Sequence, residues 1–442
     1  MRSNRKFSTS LLLIILLSIV LRAFFLHPNF SDENFYFNVA KNIAEGKIPY
    51  RDFFFAHPPL QVYTLAILYK IFGFSFFIGK FLTLLYSSIS ILLLYFIIKV
   101  IYKEKSAFMA SILFILSPPF IAFSHISYGM WETMAFLLLS LLLLFKKRTF
   151  LSVTFFVVAI FFRYVVILYL PLFLVLLYLR NGKISKFLLP FIVLLTFSIL
   201  IASGVFGTNY INQTVFYHIF KTSVQSQTQY LNMSLFFMFL AIISALIGLF
   251  EKNKLMMTFA LLPLAVDVLL LLFLKMTFYH YFLLSVPLYL IAFSKIFELR
   301  YKFLKFAVVA LLILSLILNF NTLDFYLNPA YSKKFYYVAD FIRTNTEKND
   351  TIFGEPVMTN YVSLVTGREI AGGYLDSYVQ HLSFEGIEKV VKVLSEKKPK
   401  IIVEMENYYI AMPEFKELIS NEYMFVIEAE GLPRYLIYRI KS

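Results

Sequence analysis

The chain has no cysteine, a single tryptophan and few acids over its first three quarters. Without cysteine there are no disulfides, no zinc–thiolate sites and no thiol catalysis, so any metal has to sit on oxygen or nitrogen. Of the 41 Lys and Arg and 26 Asp and Glu among 442 residues, 14 and 17 lie from Asn321 onward, which leaves 27 bases and 9 acids before it. The formal net charge of +15 therefore belongs to the front part, while the tail is slightly acidic, and nucleic acid is not the expected partner. What is abundant is apolar. The chain is 60% hydrophobic with a mean hydropathy of +0.75, more than a soluble domain of this size could keep wetted.

A bilayer core of roughly 30 Å needs about 20 apolar residues per helix. The front part divides into about eleven such runs, centred near residues 17, 88, 115, 137, 156, 171, 195, 242, 265, 288 and 311. Basic clusters fall in every second gap, among them Arg2, Arg5 and Lys6, then Lys99, Lys103 and Lys105, and then Lys146, Lys147 and Arg148. The positive-inside rule makes these loops cytoplasmic and turns the alternate loops and the tail outward. The first run follows basic residues as in a signal peptide, but no small-residue cleavage site comes after it, so it reads as an uncleaved first helix. Leu60 to Phe72 would reach only about 20 Å as a helix, so it is expected at the outer interface. The fold class is thus an α-helical polytopic membrane protein, residues 1–320, followed by a small extracytoplasmic α/β domain, residues 321–442.

The nine front acids are Asp32, Glu33, Glu45, Asp52, Glu104, Glu132, Glu251, Asp267 and Glu298. Glu104, Glu251 and Glu298 sit inside cytoplasmic basic clusters and read as solvated counter-charges. Four others crowd into the first outer loop, residues 27–74. Asp32 and Glu33 follow Ser31 and open an expected helix, Asn34 to Glu45, where a serine cap and first-turn acids suit the helix dipole without any further role. A carboxylate pair just above the bilayer is equally placed to take a proton from a hydroxyl or to hold a divalent cation. Arg51 and Asp52 read as a local ion pair or as part of a site. His57, ahead of Pro58 and Pro59, reads as a turn histidine or as a contact for an anionic headgroup. Arg163, between two apolar runs on the outward side, either snorkels or meets a lipid phosphate, and Lys80 and Lys275 with Tyr279, His280 and Tyr281 can be argued the same way. Together they form a basic rim facing a carboxylate cluster that includes Glu132 at the outer start of the fourth run. Asp267 lies within the ninth apolar run, where ionisable groups usually face a cavity or a partner; no role is assigned to it.

The order Asp32-Glu33, then Gly46-Lys47-Ile48-Pro49-Tyr50-Arg51-Asp52-Phe53, then His57-Pro58-Pro59-Leu60 and Tyr69-Lys70-Ile71-Phe72-Gly73, resembles the first outer loop of type C (GT-C) glycosyltransferases. Within that class it is similar to the protein O-mannosyltransferase and aminoarabinose lipid A transferase superfamily. The resemblance is motif-level in residues 30–80, and helix count and tail extend it along the chain. It implies inverting transfer of a sugar from a polyprenyl phosphate to an acceptor hydroxyl on the outer face, with Asp32 as catalytic base and Glu33 beside it. It places Glu132 as a second acid and Arg163 near the lipid phosphate. A Lys-Pro-Pro is common in the family where this chain has His57-Pro58-Pro59, which puts a phosphate contact there in doubt. The partners it implies are a polyprenyl-phosphate-linked sugar, a glycan, lipid or protein acceptor, and membrane lipids. Asp32 and Glu132 could supply hard oxygen ligands for Mg²⁺ or Mn²⁺, yet Asp32 could act as a base without an ion. The rival class is a lipid or solute transporter, which would depend on Asp267 and show inverted repeats; no such repeats are evident.

In the tail, helical runs (Tyr331 to Arg343, Val357 to Val365, Ile387 to Ser395) alternate with strand-like ones (Thr351 to Gly354, Lys400 to Glu404, Tyr423 to Ile427, Tyr435 to Ile440), a small α/β pattern. Gly367, Gly372 and Gly373 read as turn glycines.

Overall fold

A computed structural model describes residues 2–29, 31–221, 231–273, 279–298, 302–328, 333–409, 412–429 and 434–441. Contacts divide the chain into two compact units. One comprises residues 1–26, 80–200 and 223–327, the other residues 27–79, 201–222 and 328–442. The boundary expected from composition follows hydropathy; compactness instead joins the loop that carries Asp32 to the C-terminal domain.

The first unit is helical. All eleven expected centres fall on helices, including Arg2–Ala23, Met130–Phe145, Thr149–Phe162 and Lys302–Leu318. Among the described residues three helices are both long and apolar enough to cross a bilayer: Phe76–Ile101, Ser185–Phe206 and Lys254–Leu272. Ser185–Phe206 leaves Leu189, Val193, Phe197 and Leu200 bare on its surface, as a lipid-facing helix does. The run centred near 115 is broken into Glu104–Ile115 and Pro118–Phe123. Pro118 and Pro119 cannot continue a helix but can begin one, and Ser117 Oγ accepts the N–H of Phe120 at 3.4 Å to cap the new start. Glu104 pairs with Lys99 at 3.0 Å and Glu298 with Lys295 at 2.9 Å, the counter-charge role expected of both.

Asp267 is fully buried and satisfied. Its carboxylate accepts hydrogen bonds from Ser285 Oγ at 2.6 Å and the Tyr289 hydroxyl at 2.5 Å, and Ser285 lies 2.7 Å from the Tyr169 hydroxyl. Arg22, also buried, donates to Ser87 and Ser88 and to the Ser18 carbonyl. Both networks tie helices together through groups that hydrocarbon would otherwise leave unpaired.

The second unit centres on a five-stranded sheet. Its strands are β1 Thr351–Gly354, β2 Glu369–Ile370, β3 Ile401–Met405, β4 Tyr423–Ala429 and β5 Tyr435–Ile440. The order is β2-β1-β3-β5-β4; β1 runs parallel to β2 and β3, and the remaining pairs are antiparallel. The expected strands and the helices Lys333–Asn345, Pro356–Thr366 and Ile387–Lys397 are all present; of the first helical run, residues 331–332 lie outside the described residues. The helices Val379–Glu385 and Pro413–Glu422 and the two-residue strand β2 lie outside the sequence expectations; Val379–Glu385 and β2 are too short to show a periodicity, whereas Pro413–Glu422 does carry Phe415, Leu418 and Ile419 at helical spacing. Phe353, Ile402, Tyr409 and Phe415 form the core with residues of the flanking helices.

The loop packs on this domain through the Glu33–Ala44 helix, which lies against Pro356–Thr366. Buried Asn38 donates to Asn360 Oδ1 at 2.9 Å, so two polar side chains satisfy each other at that contact. The Leu60–Phe72 helix has the expected ends, starting behind Pro59 and stopping at Gly73. It buries Val62 and Leu65 and leaves Ile67, Ile71 and Phe72 exposed.

Candidate active site

Asp32 occupies the N-cap position of the Glu33–Ala44 helix, but its side chain does not cap it. Ser31 Oγ instead accepts the Glu33 N–H at 3.4 Å. The helix thus begins one residue earlier than expected, and the Asp32 carboxylate is spared for another partner: Oδ1 accepts a hydrogen bond from the hydroxyl of Tyr378. Burial, followed by the Asp32 charge, holds the Tyr378 phenol well above its ordinary pKa, so it stays a donor.

Tyr378 is placed by the ends of the parallel strands. β1 stops at Gly354, where a Cβ would lie 1.9 Å from the Val403 carbonyl oxygen, so only glycine lets the chain pass. The Glu355 N–H then bonds Val403 O at 2.8 Å, and the Glu355 carboxylate accepts from the N–H groups of Val357 and Met358 as an N-cap. After β2 the chain turns at Gly372 and Gly373, both left-handed as expected of turn glycines, and delivers Asp376, Ser377 and Tyr378 to the same edge. Ser377 Oγ ties that segment to the Gly354 carbonyl at 2.6 Å. Carboxyl ends of parallel strands are where α/β sheets usually gather functional groups.

The edge is acidic. Burial raises Glu355 to about 7, against the pull of its backbone donors, and the Asp32 charge adds to the rise. Burial likewise raises Asp376 to about 6, with His381 as the main opposing influence and Asp32 reinforcing the shift. Asp376 Oδ1 has no hydrogen-bond partner among the described residues, and it lies 4.0 Å from His381 Nδ1. His381 Nε2 in turn meets Glu385 at 3.2 Å. The sequence does not single out Glu355, Asp376 or Tyr378; for Asp376 and Tyr378 the signal is a polar segment following two turn glycines, and for Glu355 an acid ahead of Pro356 at a helix start.

The remaining loop residues separate by role. Glu33 is fully buried and accepts the Asn29 N–H at 3.1 Å, turned into the loop and bracing it. Arg51 and Asp52 form a two-pronged ion pair at 2.9 and 3.1 Å, and Asp52 also accepts the Ile48 N–H at 2.7 Å. The Arg51 hydrogen bond is the largest of the influences that hold Asp52 below its ordinary range. His57 sits among rings, with centroids 5.5 Å from Tyr36, 5.6 Å from Phe55 and 5.9 Å from His218.

In the first unit, two basic side chains converge on the residue 124–128 loop ahead of Met130–Phe145. Fully buried Lys80 donates to the His125 carbonyl at 3.4 Å, and Arg163 donates through Nε to the Tyr128 carbonyl at 2.9 Å and through Nη2 to the same oxygen. Arg163 ends the Thr149–Phe162 helix in extended backbone, which turns its side chain to that loop. His280 stacks on Tyr128 with centroids 5.1 Å apart. Glu132, in the first turn of Met130–Phe145, is 1% exposed, and neither carboxylate oxygen has a hydrogen-bond partner among the described residues. Lys80, Glu132, Arg163 and His280 are therefore brought to one buried polar neighbourhood; Lys275 lies outside the described residues. Among the described residues no group of three or more His, Asp or Glu side chains is arranged to hold a metal ion.

The family model described as dolichyl-phosphate-mannose-protein mannosyltransferase matches residues 56–206. In fold, the chain is similar to ArnT from Cupriavidus metallidurans bound to undecaprenyl phosphate, at 11% identity over 98% of each chain and a TM-score of 0.67. It is also similar to the Archaeoglobus fulgidus oligosaccharyltransferase tethered with an acceptor peptide, at 11% identity over 98% of this chain and 74% of that one, TM-score 0.55. The archaeal oligosaccharyltransferase AglB in complex with an inhibitory peptide and a dolichol-phosphate matches at 12% identity over the same shares, TM-score 0.52. No curated protein matches the sequence. The chain is a multi-pass membrane protein with the GT-C fold.

Proposed function

We propose that the chain transfers a sugar from a polyprenyl phosphate to an acceptor hydroxyl, with inversion, on the outer face of the plasma membrane. The observation that carries this reading is the hydrogen bond of the Tyr378 hydroxyl to the Asp32 carboxylate, which does not cap its own helix, in a chain whose fold is similar to that of ArnT bound to undecaprenyl phosphate. In the proposed step the acceptor oxygen forms a bond to the anomeric carbon as the bond to the phosphate oxygen breaks, and Asp32 takes the hydroxyl proton. The departing phosphate leaves as an anion; Arg163 and Lys80 are assigned to neutralise it. A divalent cation at Asp32 or Glu132 is not needed for proton removal, and no step here passes through one.

The test is transfer of labelled sugar from polyprenyl-phosphate donors to endogenous acceptors in membranes containing wild type, Asp32→Asn or Asp267→Asn, each with and without chelator. Transfer by wild type and Asp267→Asn but not by Asp32→Asn supports the reading, and the chelator lanes decide metal dependence. Transfer that survives Asp32→Asn removes the base, and a phenotype confined to Asp267→Asn returns the chain to the transporters.

A further inference from the structure

We propose that a groove beside the Val379–Glu385 helix is the acceptor subsite and that it takes a saccharide, an inference that rests on the transferase reading and names its acceptor class. The groove has a volume of about 600 Å³ and is lined by Asn209, Asn212, Phe216, Phe384, Glu385 and Lys389, with Phe54 and Gln213 in its wall. That volume is within the range of small-ligand clefts.

Its position follows from one short helix. Tyr378, immediately before the helix, holds Asp32, and Phe384 and Glu385, at its other end, line the groove. Seven residues at 1.5 Å per residue separate the two by about 10 Å. An acceptor whose hydroxyl reaches Asp32 would extend its next ring or two along this helix into the groove. The wall is fixed: Phe54 stacks on His381 with ring centroids 3.6 Å apart, and His381 bonds Glu385.

The lining is chemically mixed in a way that selects its occupant. Phe216 is 43%, Phe220 66% and Phe384 38% exposed, so three aromatic rings are available beside side-chain amides and the Glu385–Lys389 ion pair at 3.2 Å. A sugar ring offers an apolar C–H face to an aromatic ring, and its hydroxyls both donate and accept, as asparagine amides do. An alkyl chain would gain from the rings but strip water from the amides and the ion pair without replacing it.

The test is binding by the purified full chain in detergent, read by calorimetry with mannotriose, maltotriose, cellotriose and triacetylchitotriose as probes and with a neutral Thr- and Ser-containing tripeptide as control. At least one saccharide is expected to bind while the peptide does not. Phe384→Ala and Asn212→Ala should each raise its Kd about tenfold, and Phe384→Tyr should restore it. Binding is expected to persist in Asp32→Asn, so a failed transfer reaction and a failed subsite give different results. No binding by any of the four saccharides, preference for the peptide, or binding indifferent to both substitutions would overturn the proposal.

Discussion

The hydroxyl of Tyr378 donates to Oδ1 of Asp32, a residue 346 positions earlier in the chain. The C-terminal domain thus orients the proposed base, which makes Tyr378 a positioning residue in that reading. Tyr378→Phe keeps the ring and removes only the donor. A hydrogen bond to a charged group contributes about 1.5–3 kcal/mol, so kcat for transfer should fall by about ten- to a hundredfold. The acceptor KM should move little, while the melting temperature should fall by a few degrees. An unchanged kcat with a lowered melting temperature would make the contact purely structural.

Gln213 clamps the loop that leads from Asp32 to the Leu60–Phe72 helix. Its Oε1 accepts the Phe55 N–H at 2.9 Å and its Nε2 donates to the Tyr50 carbonyl at 3.0 Å, while Tyr50 holds a left-handed backbone at φ 68°. Gln213→Ala leaves two backbone groups without partners, at a cost of about 1–3 kcal/mol. Limited proteolysis should cut faster within residues 46–59, and Gln213→Glu, which keeps the acceptor alone, should give an intermediate rate. Equal cutting in all three would show that the loop is held by other contacts.

Much of this could be read from the sequence, and the gaps have physical causes. Long apolar runs report helices directly, because a bilayer demands about 20 apolar residues whatever the tertiary contacts; all eleven centres fell on helices, and among the described residues three of these are long and apolar enough to cross a bilayer. Asp32 stood out because acids are scarce around it, and Lys80, Glu132, Arg163 and His280 because polar groups in apolar surroundings need partners. Tyr378, Glu355 and Asp376 carried no such contrast, lying in a tail where acids and tyrosines are common. What distinguishes them is the β1–β2 pairing that brings the turn after Gly373 to the end of β1, a long-range register that local patterns do not encode. The helix start was legible only in part: Ser31 does satisfy a helix N–H, but the helix starts one residue earlier, which puts Asp32 in the N-cap position with its carboxylate on Tyr378.

Asp376 gives the second unit a pH dependence of known sign. Its carboxyl is raised from 3.8 to about 6, chiefly by burial. A carboxyl raised in the folded state contributes most below its unfolded pKa, and that contribution is lost as pH climbs through the folded value. The melting temperature should therefore fall as pH rises from about 4 to about 6.5, and Asp376→Asn should flatten that slope. Glu355, raised in the same direction, contributes over a range ending near 7, so some slope remains in the variant. Melting curves across pH 4 to 8 decide it; a slope that Asp376→Asn leaves untouched assigns the dependence elsewhere.

Arg163 directs two nitrogens at the Tyr128 carbonyl, a geometry an ammonium group cannot reproduce. If it also meets the lipid phosphate, Arg163→Lys should raise the donor KM by about tenfold and lower kcat by less, while Arg163→Met should depress both. Donor titrations with labelled polyprenyl-phosphate sugar separate the two constants. An unchanged donor KM in Arg163→Lys would confine the residue to fastening the residue 124–128 loop.

Asp267 separates the transferase from the transporter reading. Both of its oxygens are already engaged, by Ser285 and Tyr289, so the structure gives the acid a fastening task between the Lys254–Phe273 and Ser285–Phe293 helices. Asp267→Asn keeps one acceptor oxygen and sets an amide donor against the other hydroxyl, at a cost of about 1–3 kcal/mol. The melting temperature should drop by a few degrees while sugar transfer persists below it, and Asp267→Leu should cost more because the Tyr289 hydroxyl then loses its acceptor and Ser285 keeps only Tyr169. A transporter would show the opposite: stability kept and activity gone with the carboxylate, since there the charge itself carries the coupled ion or proton.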